Sequence, residues 1–435
     1  MSAWHDLVTA SLIGTERSVV PAAGLDGLPS GGDDAGDPAA LLLDRAALMT
    51  AARRAGRRPD AAEPLPACEP DRRPAVSPAA AARLTHMLDG KYRGLLAEWL
   101  RAITERGLRL PPQFLPVLLD QAARLRSRDP VLAHLVAEAG GARARWLAGL
   151  NPEWDFVTAP AVTGDDAWRL GGSGQRRDYL AALAARDPDE ARELVKRSWD
   201  AARPAERTMF LSVLADGLGL AAEPLLEAAL DDRGEVQTWA ASRLARLPGS
   251  ALGQRMAGRA LHWVRMERGP GGMRLIVTPP AECDASMLRD GIMPGPAAAR
   301  NQQAGRARLL LQVVGQTPVR TWTDEFGLTA AHIVALRSGG WDAVLFTGWA
   351  QAATVQRDHD WIAALIGEAL TGRPPRTHPE ITALERLARR ADPVLGAPGA
   401  LPEPEPDARP AVGAALDVLR FRYEMHKELD HDHSG

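Results

Sequence analysis

The stretch "ALDDRGEVQTWAASRLARLPG", residues 229–249, constrains the fold more than any other. It closes one apolar helix, turns on Asp231 and Asp232, and opens a second helix with apolar residues at Val236, Trp239, Ala240, Leu244 and Leu247. That spacing is the outline of a helix–turn–helix repeat unit. Such a pair cannot bury its apolar face alone and must stack on neighbouring pairs. Similar signals recur on both sides. In "RDPDEARELVKRSW" (186–199), Asp187 is a candidate N-cap, Pro188 takes the first helical position and Glu190 follows three after the cap, the spacing of a capping box. Further helices are expected from Pro204, through Met209, Phe210, Val213, Leu214 and Leu218, and from Pro224, through Leu225, Leu226, Ala229 and Leu230. The pairs starting near Pro188 and Pro224 are offset by about one helical repeat.

Upstream, "RDPVLAHLVAEAG" (128–140) repeats the Asp-Pro start; downstream, "TDEFGLTAAHIVALR", "WDAVLFTGWAQAATVQ" and "DWIAALIGEAL" read as three short amphipathic helices. The expected fold class is all-α: an irregular HEAT-like α-solenoid, an armadillo-type superhelix. "MRLIVTPP" (273–280) breaks the pattern and reads as a strand, so a short β-hairpin or irregular insertion is expected at 266–305. The organisation that follows has an N-terminal helical region, 1–150, with flexible loops at 21–38 and 57–78, then HEAT-like repeats at 151–265. After the insertion come C-terminal repeats at 306–390, a Pro-rich linker at 391–411, and a terminal helix and tail at 412–435.

Composition bounds the function. The 435 residues are 46% hydrophobic with a net charge of −3, so a sizeable core can form and no global attraction draws the chain to nucleic acid or anionic lipid. Arginine supplies nearly all the positive charge, against three lysines (Lys91, Lys196, Lys427), a skew that codon usage in a GC-rich genome accounts for. Cys68 and Cys283 form neither a CxxC pair nor a disulfide framework, which fits a reducing cytoplasm. The opening "MSAWHDLVTASLIGTERS" reads as an amphipathic helix using Trp4, Leu7, Val8 and Leu12 rather than a signal peptide, and no apolar run is long enough to span a membrane.

Candidate chemistry is sparse. "LGGSGQRRD" (170–178) lacks the lysine and spacing of a phosphate-binding P-loop and the last glycine of a nucleophile elbow, so it reads as a helix-entry loop. "RDHDW" (357–361) and "HKELDHDHSG" (426–435) lack a fixed four-ligand pattern; Asp360 reads as an N-cap for a helix opening at Trp361. No catalytic residue, metal site or cofactor is therefore expected. Twelve tryptophans stand against three tyrosines. Trp199, Trp239 and Trp361 fall on apolar stripes and read as core. Trp154, Trp168, Trp322 and Trp341 sit near helix starts or loops, where they are freer to face a groove. With Arg176, Arg177, Arg243 and Arg246 they form the candidate binding set.

The 229–249 unit, with Asp232, Val236, Ala240 and Leu244 in place, resembles the HEAT pattern, although Gln237 stands where such units often carry arginine. More specifically, "LVTASLIGTERSVVP", "NPEWDFV", "RDYLAALAARDPDEARELVKRSW", "LEAALDDRGEVQTWAASRLARLPGS" and "WDAVLFTGWAQAA" resemble, in this order, a widespread actinobacterial family of unknown function. Genes of that family are often encoded beside MoxR-type AAA ATPases, von Willebrand A proteins and SWIM zinc-finger proteins. The resemblance implies an accessory or adaptor protein with such a partner and carries over no catalytic residue. The expected function is a non-catalytic scaffold for protein–protein interaction. The alternatives are a nucleic-acid-binding protein or an enzyme using a basic concave face, and an obligate subunit marked by a broad apolar patch.

Overall fold

The computed structural model describes residues 3–20, 37–55, 65–126, 129–158, 165–214, 219–295, 301–372, 375–404 and 409–434. The chain divides into two compact units, Met1–Ala67 and Cys68–Gly435, a division that falls within the region expected as one N-terminal block. Residues 21–36 of the first expected loop, residues 57–64 of the connector and Leu218 lie outside the described residues.

In the first unit, the helices Ala3–Ile13 and Pro38–Ala55 bury Leu7, Ala10, Leu42 and Met49 together with Val20. Arg45 Nη1 donates to the Val20 carbonyl at 2.8 Å and ties the intervening chain to the second helix. Val8 and Leu12, expected on the apolar face of the first helix, are exposed.

The second unit is a succession of helices, and its local signals behave as the sequence implies. Asp129, Asp187, Ser250, Asn301 and Thr377 each accept from backbone N–H groups of the first turn they cap. Asp187 starts Pro188–Ser198, while the Glu190 carboxylate faces Arg186 at 3.7 Å. The helices Pro204–Leu214, Glu223–Ala229 and Glu235–Leu244 follow. "TDEFGLTAAHIVALR" forms two helices, Arg320–Phe326 and Ala330–Ala335, because Gly327 ends the first in the left-handed region. Asp358, not Asp360, caps the helix His359–Thr371, its carboxylate accepting from Trp361 N at 3.0 Å. The helix begins two residues before the apolar stripe does.

The strand expected at 273–280 is Gly272–Val277, paired antiparallel with Val264–Gly269 across the Pro270-Gly271 turn. Its partner, "VRMERG", continues directly from the helix Ala251–Trp263. Its inward residues Val264 and Met266 alternate with charges, so the run reads as an exposed helix end. Leu275 N donates to the Arg337 carbonyl at 2.8 Å and anchors the hairpin. This hairpin is the one sheet among the described residues, the rest of the regular structure being helical. None of the described helices is long and apolar enough to cross a membrane.

The most consequential packing is made by the C-terminal helix, Arg409–Ser434, predicted from residue 412. It lies against Pro393–Gly396, a 3-10 turn in the expected 391–411 linker, and against His378–Ala388, the last repeat-like helix. Its other neighbours are Pro78–Leu88 and Leu96–Glu105, the first helices of the unit. Arg83 makes a two-pronged pair with Glu428 at 2.7 and 2.8 Å, Arg106 pairs with Asp430 at 2.6 Å, and Asp432 accepts from Ser77 N. Tyr92 stacks on Phe421 with ring centroids 4.0 Å apart. At the centre, buried Arg422 donates through Nε and Nη2 to Glu98 and through Nη1 to the Ala388 and Ala391 carbonyls. His426 Nε2 lies 2.9 Å from the same carboxylate.

Burial pushes the Glu98 pKa up, but the hydrogen bonds with His426 and Arg422 outweigh it and hold the carboxyl below its ordinary range. A lowered folded-state pKa gives stability that is complete above the unfolded value, about 4.3, and is lost as the pH falls through the folded one. Thermal melts from pH 6 down to pH 3 should therefore show a steeper acid loss for the wild type than for Glu98→Gln; parallel curves would contradict this assignment. Arg422→Ala leaves Glu98 without its buried partner and frees two carbonyls. The expected cost is about 3 kcal/mol in denaturant unfolding, and a loss below about 1 kcal/mol would show that Arg422 does not hold the three segments together.

Candidate interaction surface

The helix Glu235–Leu244 presents Trp239, Arg243 and, just past its end, Arg246 along one side, at spacings of four and three residues. The Arg243 guanidinium lies 4.5 Å over the Trp239 ring, whose inner edge packs on the core. Gln237, on the same helix, donates through Nε2 to the Leu288 and Arg289 carbonyls at 2.8 and 3.1 Å. Gln237 thus fastens the insertion to the helix Glu235–Leu244.

Beside it lies the densest charge cluster of the unit. Asp290, 1% exposed, takes hydrogen bonds from Arg255 at 2.7 Å and Arg259 at 2.7 Å. Glu227 takes Arg255 at 3.1 Å, and Asp231 takes Arg289 at 2.7 Å. The hydrogen bond to Asp290, working against desolvation, holds the Arg255 pKa above its ordinary value. Every carboxylate here is committed to a guanidinium, so the cluster acts as a lock for the insertion rather than as acid or base. Cys283, in the same insertion, is pushed up by burial and by the neighbouring Asp284, which keeps it a thiol. Among the described residues, no group of three or more His, Cys, Asp or Glu side chains is arranged to hold a metal ion.

The candidate binding residues do not gather in one place. Trp154 donates Nε1 to Asp120 Oδ1 at 2.9 Å and packs against the core. Trp168 lies on Phe210, with centroids 5.0 Å apart, in a smaller cluster between Ser173–Arg186 and Pro204–Leu214. Arg176 pairs with Glu206 at 2.9 Å across those same helices, and Arg177 with its neighbour Asp178 at 3.3 Å. Trp322 is fully buried, edge-on to Trp349 at 5.9 Å, and cannot face a groove. Its position near a helix start suggested exposure, but Arg320–Phe326 is itself enclosed, a fact of tertiary packing that local spacing does not record. Trp341 is half-buried before the helix Asp342–Gln356. Arg243 and Arg246 remain on the surface side of their helix. The structure adds Trp239, read as core, and two arginines that local spacing offers no reason to select, Arg357 and Arg390, both exposed at helix ends. Their signal is a shared neighbourhood, which no linear spacing carries.

Residues 6–405 match a family of unknown function, DUF5691, and the chain belongs to that family. Searches of curated proteins and of solved structures returned no match.

Asp290→Ala would leave Arg255 and Arg259 facing a vacated buried site. It should destabilise the protein by about 3 kcal/mol and raise amide exchange across residues 284–292. Gln237→Ala should raise exchange in the same turn with a stability loss near 1 kcal/mol. Unchanged exchange in both variants would show that the insertion is held by other contacts.

Proposed function

We propose that this member of DUF5691 is a non-catalytic helical-repeat scaffold that holds a protein partner in the cytoplasm. The observation that supports it best is the side of Glu235–Leu244, where Arg243 stacks on Trp239 and Arg246 continues the line. Tryptophan and arginine are the side chains that most often dominate interface energy, because each combines a large contact area with directed donors. The mounting matters as much. The neighbouring insertion is fixed by Gln237 and Asp290, so this surface is already ordered and loses little entropy on binding.

For the finer architecture we propose an irregular HEAT-like α-solenoid, in which the helices from Ser173–Arg186 to His378–Ala388 are the stacked pairs. Packing of Ala251–Trp263 on Gln302–Gln316, of that helix on Asp342–Gln356, and of the latter on His378–Ala388 agrees with side-by-side stacking. The gene neighbourhood that the family resemblance implies points to a MoxR-type AAA ATPase or a von Willebrand A protein as the partner.

Affinity purification of the tagged protein from its native host, with and without ATP, followed by mass spectrometry, tests this reading. Stoichiometric recovery of the ATPase or the von Willebrand A protein is expected, falling about tenfold with a Trp239→Ala, Arg243→Ala double variant. Recovery of the chain alone under both conditions overturns the scaffold reading.

A further inference from the structure

Three arginines stand at three helix-end corners of the second unit. Arg246 follows Glu235–Leu244, Arg357 ends Asp342–Gln356, and Arg390 follows His378–Ala388. The corners adjoin. The 246–250 turn leads into Gly253, where a Cβ would meet the Pro318 ring at 3.2 Å. The 317–319 corner is tied to the end of Asp342–Gln356 by Gln356, which accepts from Val319 N at 2.9 Å and donates to the Thr317 carbonyl at 3.0 Å. Asp342–Gln356 then packs along His378–Ala388.

Each corner is also pinned. Ser250 Oγ donates to the Leu244 carbonyl at 3.0 Å, Asp358 caps Trp361 N, and Arg422 holds the carbonyls on either side of Arg390. All three side chains are exposed, and none makes an ion pair or side-chain hydrogen bond among the described residues. The nearby carboxylates are engaged elsewhere: Glu98 with Arg422 and His426, Asp358 with its helix N-terminus. Arg357 carries a further mark. Among the described residues it is the one non-glycine with positive φ, at 57°, in the helix-ending position where glycine is favoured. A guanidinium is kept there against the backbone preference.

We propose that Arg246, Arg357 and Arg390 form a binding site for an oligophosphate, two or more linked phosphates, free or as the tail of a nucleotide. Three forked donors on rigid turns match the multiple charges and oxygens of such a group, where a single carboxylate would leave two guanidinium groups unpaired. A long nucleic-acid backbone is the poorer match, since the chain as a whole carries −3 and has no net basic footprint. The electrostatics of Arg390 agree with adjoining corners. Partial burial of the otherwise exposed Arg390 and then the charge of Arg357 lower its pKa, Glu98 opposes them, and Arg246 and Arg422 lower it further. This site stands whether or not the scaffold reading holds.

Isothermal titration of pyrophosphate, ATP and AMP into the full chain at low salt tests the site. Arg357→Gly is the informative variant, because glycine suits φ 57° and removes the charge without disturbing the turn. Pyrophosphate or ATP should bind the wild type, about tenfold more weakly in Arg357→Gly and in Arg390→Gln, and without detectable heat in the double variant. Arg197→Gln, at an exposed arginine of Pro188–Ser198, should bind like the wild type. Tighter binding of ATP than of pyrophosphate, with AMP weak, identifies a nucleotide tail; equal binding of the first two identifies the free oligophosphate. No binding of either at millimolar concentration overturns the proposal. So does affinity unchanged in the double variant, or displacement of pyrophosphate by a short DNA duplex that binds more tightly.

Discussion

The second unit depends on one buried guanidinium. Arg422 spends its donors on Glu98, from the first helices of the unit, and on the Ala388 and Ala391 carbonyls, from the last repeat-like helix. A buried arginine is tolerated only when its charge is matched and its N–H groups are satisfied, since desolvation otherwise exceeds the Coulombic gain. Here that requirement can be met only when three segments are in place, one of them 324 residues from Arg422 and another 31 to 34 residues away. The surrounding pairs, Arg83 with Glu428 and Arg106 with Asp430, are more exposed and contribute less each. They fix the register of the C-terminal helix around a centre that Arg422 has already determined. The consequence for architecture is direct. An open row of repeats leaves its first and last members apart, whereas here one helix joins the unit's opening helices to its last repeat-like helix.

The same logic operates at the insertion. The insertion, an irregular stretch of about forty residues, sends Leu275, Val277, Met287 and Ile292 into the core, and polar anchors fix the turns between them. Asp290 serves two arginines of Ala251–Trp263, and Gln237 reaches two carbonyls of the 284–291 turn. An arginine in place of Gln237 could not supply the same neutral amide donor without burying a charge beside Arg289. The departure from the HEAT pattern is thus accounted for by what the insertion needs, and the side of the helix bearing Trp239 and Arg243 is left facing outward.

What the sequence made legible was local. Helix starts at Pro130, Pro188 and Pro204, and that of Glu223–Ala229 one residue before Pro224, were readable because a capping carboxylate or a first-turn proline acts within a few residues. The β-hairpin was half legible: its second strand is an apolar run, but its first hides its alternation among charges. The exposure of individual tryptophans was not legible. Trp322 and Trp341 sit in similar sequence contexts near helix starts, yet only Trp322 is enclosed, by Trp349 and the helices around it. The candidate site fared likewise. Arg246 was selected for its place on a helix face, but Arg357 and Arg390 become its companions only through stacking of helices more than a hundred residues away.

That stacking also explains how three arginines without ion-pair partners among the described residues can coexist. Each stands at a helix C-terminus, where aligned peptide dipoles leave roughly half a negative charge and offset part of the guanidinium charge. The offset is local and falls off within the last turn, so it stabilises each arginine on its own helix while doing little about repulsion between neighbours. The Arg390 pKa is lowered first by burial and then by the charge of Arg357, with Arg246 and Arg422 adding to it. A multivalent anion at the junction answers the part of the electrostatics that the helix ends cannot. For that reason the corner of Arg246, Arg357 and Arg390 has the character of a binding site, while the arginines of the Asp290 cluster, already matched by carboxylates, have that of a structural lock.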